Sequence, residues 1–184
     1  WVRSAMLDGL ALRPNWPRWF FNKEISGGPV FDQAIHIFDL SRYLLGEVER
    51  VTGYQGNLVV QKGGDFTVED SFTLLMKYQN GILQNHTHTW SYPDVFTQIE
   101  LISDQLHLTL DLVKGSVTGK VEGEAVSFEA EEHGLYQLEL EAFAKAIEEK
   151  NPEFVLATYK DSIQSLSVAL EALEVLEADK KVNS

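Results

Sequence analysis

Between Val48 and Glu129 the apolar residues repeat every second position, and no helical period interrupts them. This run constrains the fold more than any other feature. Ser71 to Tyr78, Asn80-Gly81 and Ile82 to Trp90 predict a hairpin closed by a two-residue turn. Val95 to Ser103 and Gln105 to Leu112 predict a second strand pair. Val117 to Val121 and Ala125 to Glu129 flank a turn at Glu122-Gly123-Glu124, and Val48 to Val60 supplies one more strand. Parallel neighbours need long crossovers, so strands that follow one another directly predict a largely antiparallel sheet.

Helical periods lie on both sides of this run. Ser26-Gly27-Gly28-Pro29 is a helix-start signal, because proline suits a first helical position. A helix is expected from about Pro29 to Leu45, ended by Gly46. It is apolar on most sides, which predicts burial on more than one face. After the strands, Leu135, Leu138, Ala142, Phe143, Ala146 and Ile147 form a stripe that stops at Asn151-Pro152. Thr158-x-x-Asp161 resembles a capping box. It opens a helix with Ile163, Leu166, Ala169, Leu170, Leu173 and Leu176 on one face. Residues 1–12 read as extended. Arg13 to Asn22, with two prolines and two tryptophans, reads as an ordered irregular loop over a core or a pocket. The expected architecture is α+β: an open, mostly antiparallel sheet with one buried helix and C-terminal helices packed on one face. At 184 residues this is one domain, residues 1–184.

Composition narrows the function. With 28 acidic and 15 basic residues, a net charge of -13, there is no basic patch for nucleic acid. No apolar run is long enough for a membrane helix, and no signal peptide is visible. Cysteine is absent, which excludes disulfides, thiolate metal sites and a cysteine nucleophile, and fits a cytoplasmic setting. The chain opens on Trp1-Val2-Arg3 in what reads as mid-element sequence, so a longer parent polypeptide is expected.

Asp32 and His36 are the best candidates for proton chemistry. Four residues apart on a helix, they share a face, with Asp39 and Tyr43 further along roughly the same stripe. A carboxylate beside an imidazole orients it and tunes it as a general acid or base. The adjoining glycines leave room for a ligand. The same spacing also fits a capping Asp and an ordinary core His. His86 and His88 share a strand face with Trp90, and structural pairing on a half-exposed sheet face is the expected reading, with no third metal ligand nearby. Trp16 and Trp19 fit either a sugar-stacking platform or a core plug. His107 and His133 carry no motif. Gly-x-Ser-x-Gly, Gly-x-Gly-x-x-Gly and Walker A are all absent.

The run from Ser26 to Glu47, with Gly27-Gly28, Asp32, His36, Ile37-Phe38-Asp39-Leu40 and Leu45-Gly46, resembles the signature of the Gfo/Idh/MocA oxidoreductases. The resemblance continues through Glu69-Asp70-Ser71-Phe72 and Asn80-Gly81-Ile82. It then passes Tyr136, Glu139 and Phe143 and ends in the helix from Asp161 to Leu176. It covers the C-terminal, substrate-binding and oligomerisation half of such enzymes. It implies a parent protein that oxidises sugars, cyclitols such as inositol, or related polyols. In that protein NAD or NADP is bound mainly by an N-terminal Rossmann domain that this chain lacks, as it lacks the lysine of the family's Glu-Lys-Pro motif. Glu149-Lys150-Asn151-Pro152 is a decoy, because it ends a helix. The resemblance implies that His36 exchanges the substrate hydroxyl proton, with Asp32 beside it and Trp19 at the substrate; this chain alone should be inactive. It also implies a homodimer or homotetramer built on the open sheet. Two rivals stand beside it: a non-catalytic dimerisation or ligand-sensing module, and a metal-dependent isomerase or lyase using His36, His86 and His88.

Overall fold

A computed structural model describes residues 1–130 and 134–182. Its centre is an eight-stranded sheet in the order β2-β3-β4-β1-β5-β6-β7-β8. The strands are β1 (Val2–Leu7), β2 (Val48–Gly56), β3 (Ser71–Tyr78), β4 (Leu83–Thr89), β5 (Phe96–Ile102), β6 (Leu106–Asp111), β7 (Ser116–Val121) and β8 (Glu124–Glu129). Every neighbouring pair is antiparallel except β1 and β4. That exception has a cause: the chain leaves β1 through the helical region and the β2–β3 pair before β4 returns beside it. Helical segments follow in chain order: α1 (Lys23–Ser26), a π-helical turn (Val30–Ala34) continuing as α2 (Ile35–Leu45), α3 (Leu135–Glu148) and α4 (Tyr159–Val182).

The β3–β4 connection differs from the expected two-residue turn. Tyr78 N–H donates to Ile82 O and Gly81 N–H to Tyr78 O, both at 2.9 Å, so the loop holds three residues. Gly81 sits at φ +87°, the left-handed residue that such a loop requires. Asn80 is diverted instead to α2, where its amide donates to Leu45 O at 2.7 Å. The primed two-residue turn is Glu122-Gly123, with φ +51° and +86°, between β7 and β8.

One face of β2, β3 and β4 carries the core. Val51, Phe72, Leu74, Met76 and Tyr78 pack against Val30, Ala34 and Phe38 of the π turn and α2, and against Val168, Ala169, Ala172 and Leu176 of α4. Full burial of a side chain such as Phe38 stabilises by roughly 1.5–3 kcal/mol. Helix α2 is covered on two sides. Toward the sheet, Phe38 meets the His86 ring edge-on and Ser41 accepts from Gln84 at 3.0 Å. Toward α4, the Arg42 guanidinium donates to Ser165 at 2.7 Å and pairs with Asp161 and Glu47. A third side, bearing His36 and Tyr43, is open.

Helix α4 opens as the capping signal predicts: Thr158 Oγ1 accepts from Asp161 N–H at 3.3 Å. The Asp161 carboxylate turns away to Arg42 rather than completing the box. Its buried side overlaps the expected apolar face only at Ala169 and Leu176. Ser165, Val168, Ala169, Ala172 and Leu176 face inward, while Ile163, Leu166 and Leu170 are exposed. Small residues win the inner face because they let the helix approach β2 and α2 closely. The stripe of α3 is also unburied within this chain, with Phe143 and Ile147 exposed and Lys145 lying 4.3 Å over the Phe154 ring. The sheet face away from the helices is rich in hydroxyls and charges, among them Thr73, Thr87 and Thr89 and the cluster of Arg3, Glu100 and His107.

Candidate active site

The site begins where α1 ends. Asn22 caps α1 by accepting from Glu24 N–H at 3.0 Å, and Gly27 and Gly28 follow at φ +75° and +79°. Gly28 O accepts the N–H groups of Phe31 (3.2 Å) and Asp32 (3.1 Å), which starts the π turn. A Cβ on Gly27 would meet Phe31 Cδ2 at 2.6 Å, and one on Gly28 would meet Val68 Cγ1 at 3.3 Å. The space expected for a ligand at these glycines is therefore filled by the chain's own side chains. Their purpose is a left-handed backbone and close packing.

From this start Asp32 is half-buried and His36 is exposed on the open side of α2. Burial pushes the Asp32 carboxyl above its ordinary range. The charge of His36 opposes that shift, and the nearby Asp8 carboxylate adds to it. Among the described residues no hydrogen bond joins Asp32 to His36; they interact through charge. A carboxyl held protonated more readily by burial, with an imidazole beside it, is an arrangement from which proton exchange is chemically possible. Asp39, further along the helix, is engaged by Ser165 Oγ at 2.5 Å and faces α4.

Sequence reasoning missed three neighbours. Asp8, one residue beyond β1, accepts from Arg13 at 2.9 Å, and that guanidinium lies 5.1 Å over the Trp16 ring. Gln33, beside Asp32, accepts from the indole N–H of fully buried Trp90 at 2.7 Å. Asp8-Gly9 after an alternating segment was the one available signal for Asp8. Trp19 is half exposed and stacks on Phe20 at 4.0 Å; among the described residues no ring contact or hydrogen bond ties it to Asp32 or His36. Trp16 is only partly exposed and meets Phe20 edge-on at 5.6 Å.

Behind the glycines lie two fully buried carboxylates. Asp70 accepts backbone N–H groups from Leu58 (2.9 Å), Val59 (2.9 Å) and Val60 (2.6 Å). Burial would raise its pKa, but these bonds outweigh that and hold it below the ordinary range. Glu69 pairs with Lys23 at 2.6 Å, tying α1 to the approach to β3.

His86 and His88 do not occupy a half-exposed face. Both are fully buried beneath α2, because the strand alternation that groups them with Trp90 points all three into the helix-covered side. Ser4 Oγ lies 2.9 Å from His86 Nδ1, and His88 stacks on Phe72 at 5.0 Å. Burial depresses His86 to about 3 and His88 well below its ordinary value, so both rings are neutral. His36 lies on the open side of α2, so the three histidines of the metal-dependent reading are not brought together. Among the described residues no group of three His, Asp or Glu side chains is placed to hold a metal ion. His107 is on the opposite sheet face with Glu100, at 2.5 Å; His133 lies outside the described residues. No described helix is long and apolar enough to cross a membrane.

Solved structures share this architecture. A levoglucosan dehydrogenase in complex with NADH and levoglucosan superposes with a TM-score of 0.82 at 18% identity, covering 97% of this chain and 56% of that one. The UDP-N-acetylglucosamine 3-dehydrogenase from Acidithiobacillus ferrooxidans gives 0.77 at 18% identity, covering 96% and 53%. At such identities the likeness establishes the fold, and the chain spans about half the length of these relatives. No curated protein sequence matches the chain. The profile of the GFO/IDH/MocA C-terminal domain matches residues 1–118, well over half the sequence, and carries the stretch from Gly27 to Gly46 with it. The chain therefore belongs to the Gfo/Idh/MocA C-terminal domain family.

Proposed function

We propose that residues 1–184 form the substrate-side domain of an NAD(P)-dependent oxidoreductase acting on a sugar, cyclitol or related polyol. One observation carries the reading: Asp32 in the π turn and His36 in the first turn of α2 adjoin on one continuous helical segment, with the histidine exposed and the aspartate's pKa raised beside it. The solved relatives named above are sugar dehydrogenases, one of them bound to NADH, which supports the substrate class and the cofactor. Oxidation of a carbinol releases a hydride and a proton, and a bound nicotinamide supplies the hydride acceptor. His36 takes the hydroxyl proton. Asp32 orients and tunes the imidazole, and Trp19 offers an exposed aromatic face to the sugar ring. The open side of α2 fits a cofactor presented by another domain, since the sequence has no Gly-x-Gly-x-x-Gly of its own. The threonine-rich outer sheet face is the surface on which a homodimer or homotetramer would form, and the protein would work in the cytoplasm.

The test uses the full-length gene product with a panel of polyols and sugars and with NAD or NADP. His36→Ala and Asp32→Asn should each lower turnover by about 10²- to 10⁴-fold. Normal turnover by His36→Ala would overturn the assignment. The stand-alone module remains the second reading, and the amino acids encoded upstream decide between them. A Gly-x-Gly-x-x-Gly after a strand supports the enzyme, and an unrelated domain or a stop supports the module.

A further inference from the structure

We infer that Gln33 and Trp90 are a positioning pair, whose hydrogen bond clamps the π-helical turn carrying Asp32 and so sets that carboxylate against His36. The inference rests on the reading of Asp32 and His36 as the proton-handling pair. The turn is the unusual element. Ile35 N–H reaches back five residues to Val30 O, where an α-helix would reach four. Single π turns inside helices are rare and gather at functional sites. In an α-helix four residues overshoot a full turn by about 40°. A wider turn absorbs part of that excess and brings Asp32 closer to the line of His36 along the axis.

A turn of this kind needs an outside hold. On the buried side Val30 and Ala34 pack in the core. On the side next to Asp32 the hold is Gln33, whose Oε1 accepts from Trp90 Nε1 at 2.7 Å. Trp90 is a fixed point. It is fully buried, its N–H donates to Asp70 O at 2.8 Å, its carbonyl accepts from Ala11 N–H at 2.9 Å, and its ring meets Phe21 edge-on. The clamp thus ties the residue adjoining Asp32 to the end of β4, with Asp70 behind it.

The test follows the His36 ring by NMR pH titration in the 184-residue chain, with urea unfolding of each variant alongside. Asp32→Asn should lower the His36 midpoint, because it removes the negative charge beside the ring. Gln33→Met and Trp90→Phe, each removing one half of the bond, should shift it in the same direction by a smaller amount. The double variant should add nothing further, as coupled partners do. If Gln33→Met and Trp90→Phe lower the urea midpoint but leave the His36 titration at its wild-type value while Asp32→Asn moves it, the clamp is structural only and the inference is wrong. If Asp32→Asn itself leaves His36 unmoved, the proton-pair reading fails, and this one with it. Should Trp90→Phe fail to fold, Gln33→Met alone decides.

Discussion

Acidification from pH 7.5 to pH 5 should cost this fold about 4 kcal/mol, and the two histidines beneath α2 are the reason. His86 and His88 are fully buried, and Phe38 and Phe72 pack against the pair. Burial lowers His86 from 6.5 to about 3 and His88 far below 6.5, so neither takes a proton in the folded state at pH 5. In the unfolded chain both titrate near 6.5. The unfolded state therefore binds more protons throughout this window, and stability falls as pH falls below 6.5. At 1.36 kcal/mol per unit, each neutral ring costs about 2 kcal/mol at pH 5. The sum is a large share of the 5–15 kcal/mol that holds a typical domain together. Among the carboxylates, Asp32, whose pKa burial raises, takes its proton sooner in the folded state and so opposes part of this loss. Asp70, held below its ordinary 3.8, loses its contribution only as pH falls through that value and under it. The assay is urea unfolding by tryptophan fluorescence at both pH values, for wild type and His88→Phe. His88 makes no hydrogen bond among the described residues, so phenylalanine should fit its stack on Phe72 and remove about half of the pH-dependent loss. A wild-type chain equally stable at both pH values, or a His88→Phe chain with the full loss, would refute the reasoning.

Other perturbations probe other parts of the fold. Asp70→Ala leaves three backbone N–H groups without their acceptor and should cost about 1–3 kcal/mol, with faster proteolysis within 57–60. Gly53→Ala would set a Cβ 2.2 Å from Thr73 O, a backbone atom that cannot swing aside, so thermal unfolding should show a loss of about 1–3 kcal/mol. The isolated chain should bind NAD(H) negligibly by calorimetry; micromolar affinity would contradict the division of labour proposed above. Light scattering at high concentration should show a dimer or tetramer, and a stable monomer would count against assembly on the outer sheet face.

Much of this was legible in the residues. The strands from Ser71 to Glu129 fall within a residue or two of their predicted places, because alternation is a local property that solvent on one face and core on the other enforces. The closeness of Asp32 and His36 was legible because both lie on one helical segment. Asp8 and the Gln33–Trp90 bond were not, since the partners of that bond are 57 residues apart and meet only once β4 lies beside β1.

The amino-acid order by itself determined the α+β class, the Gly27-Gly28 entry to the helix and the one-turn spacing of Asp32 and His36, all consequences of local backbone geometry. Tertiary structure decided which side of each element is inside. Alternation groups His86 and His88 on one face without saying which face, and the helices above them turn that face into core. The apolar residues of α4 lie all around it, and close approach to β2 and α2 selects its alanines for the buried side and leaves Ile163, Leu166 and Leu170 outside. Periodicity specifies a face; only the packing partner specifies its environment, because burial is a property of two surfaces and a sequence segment holds one.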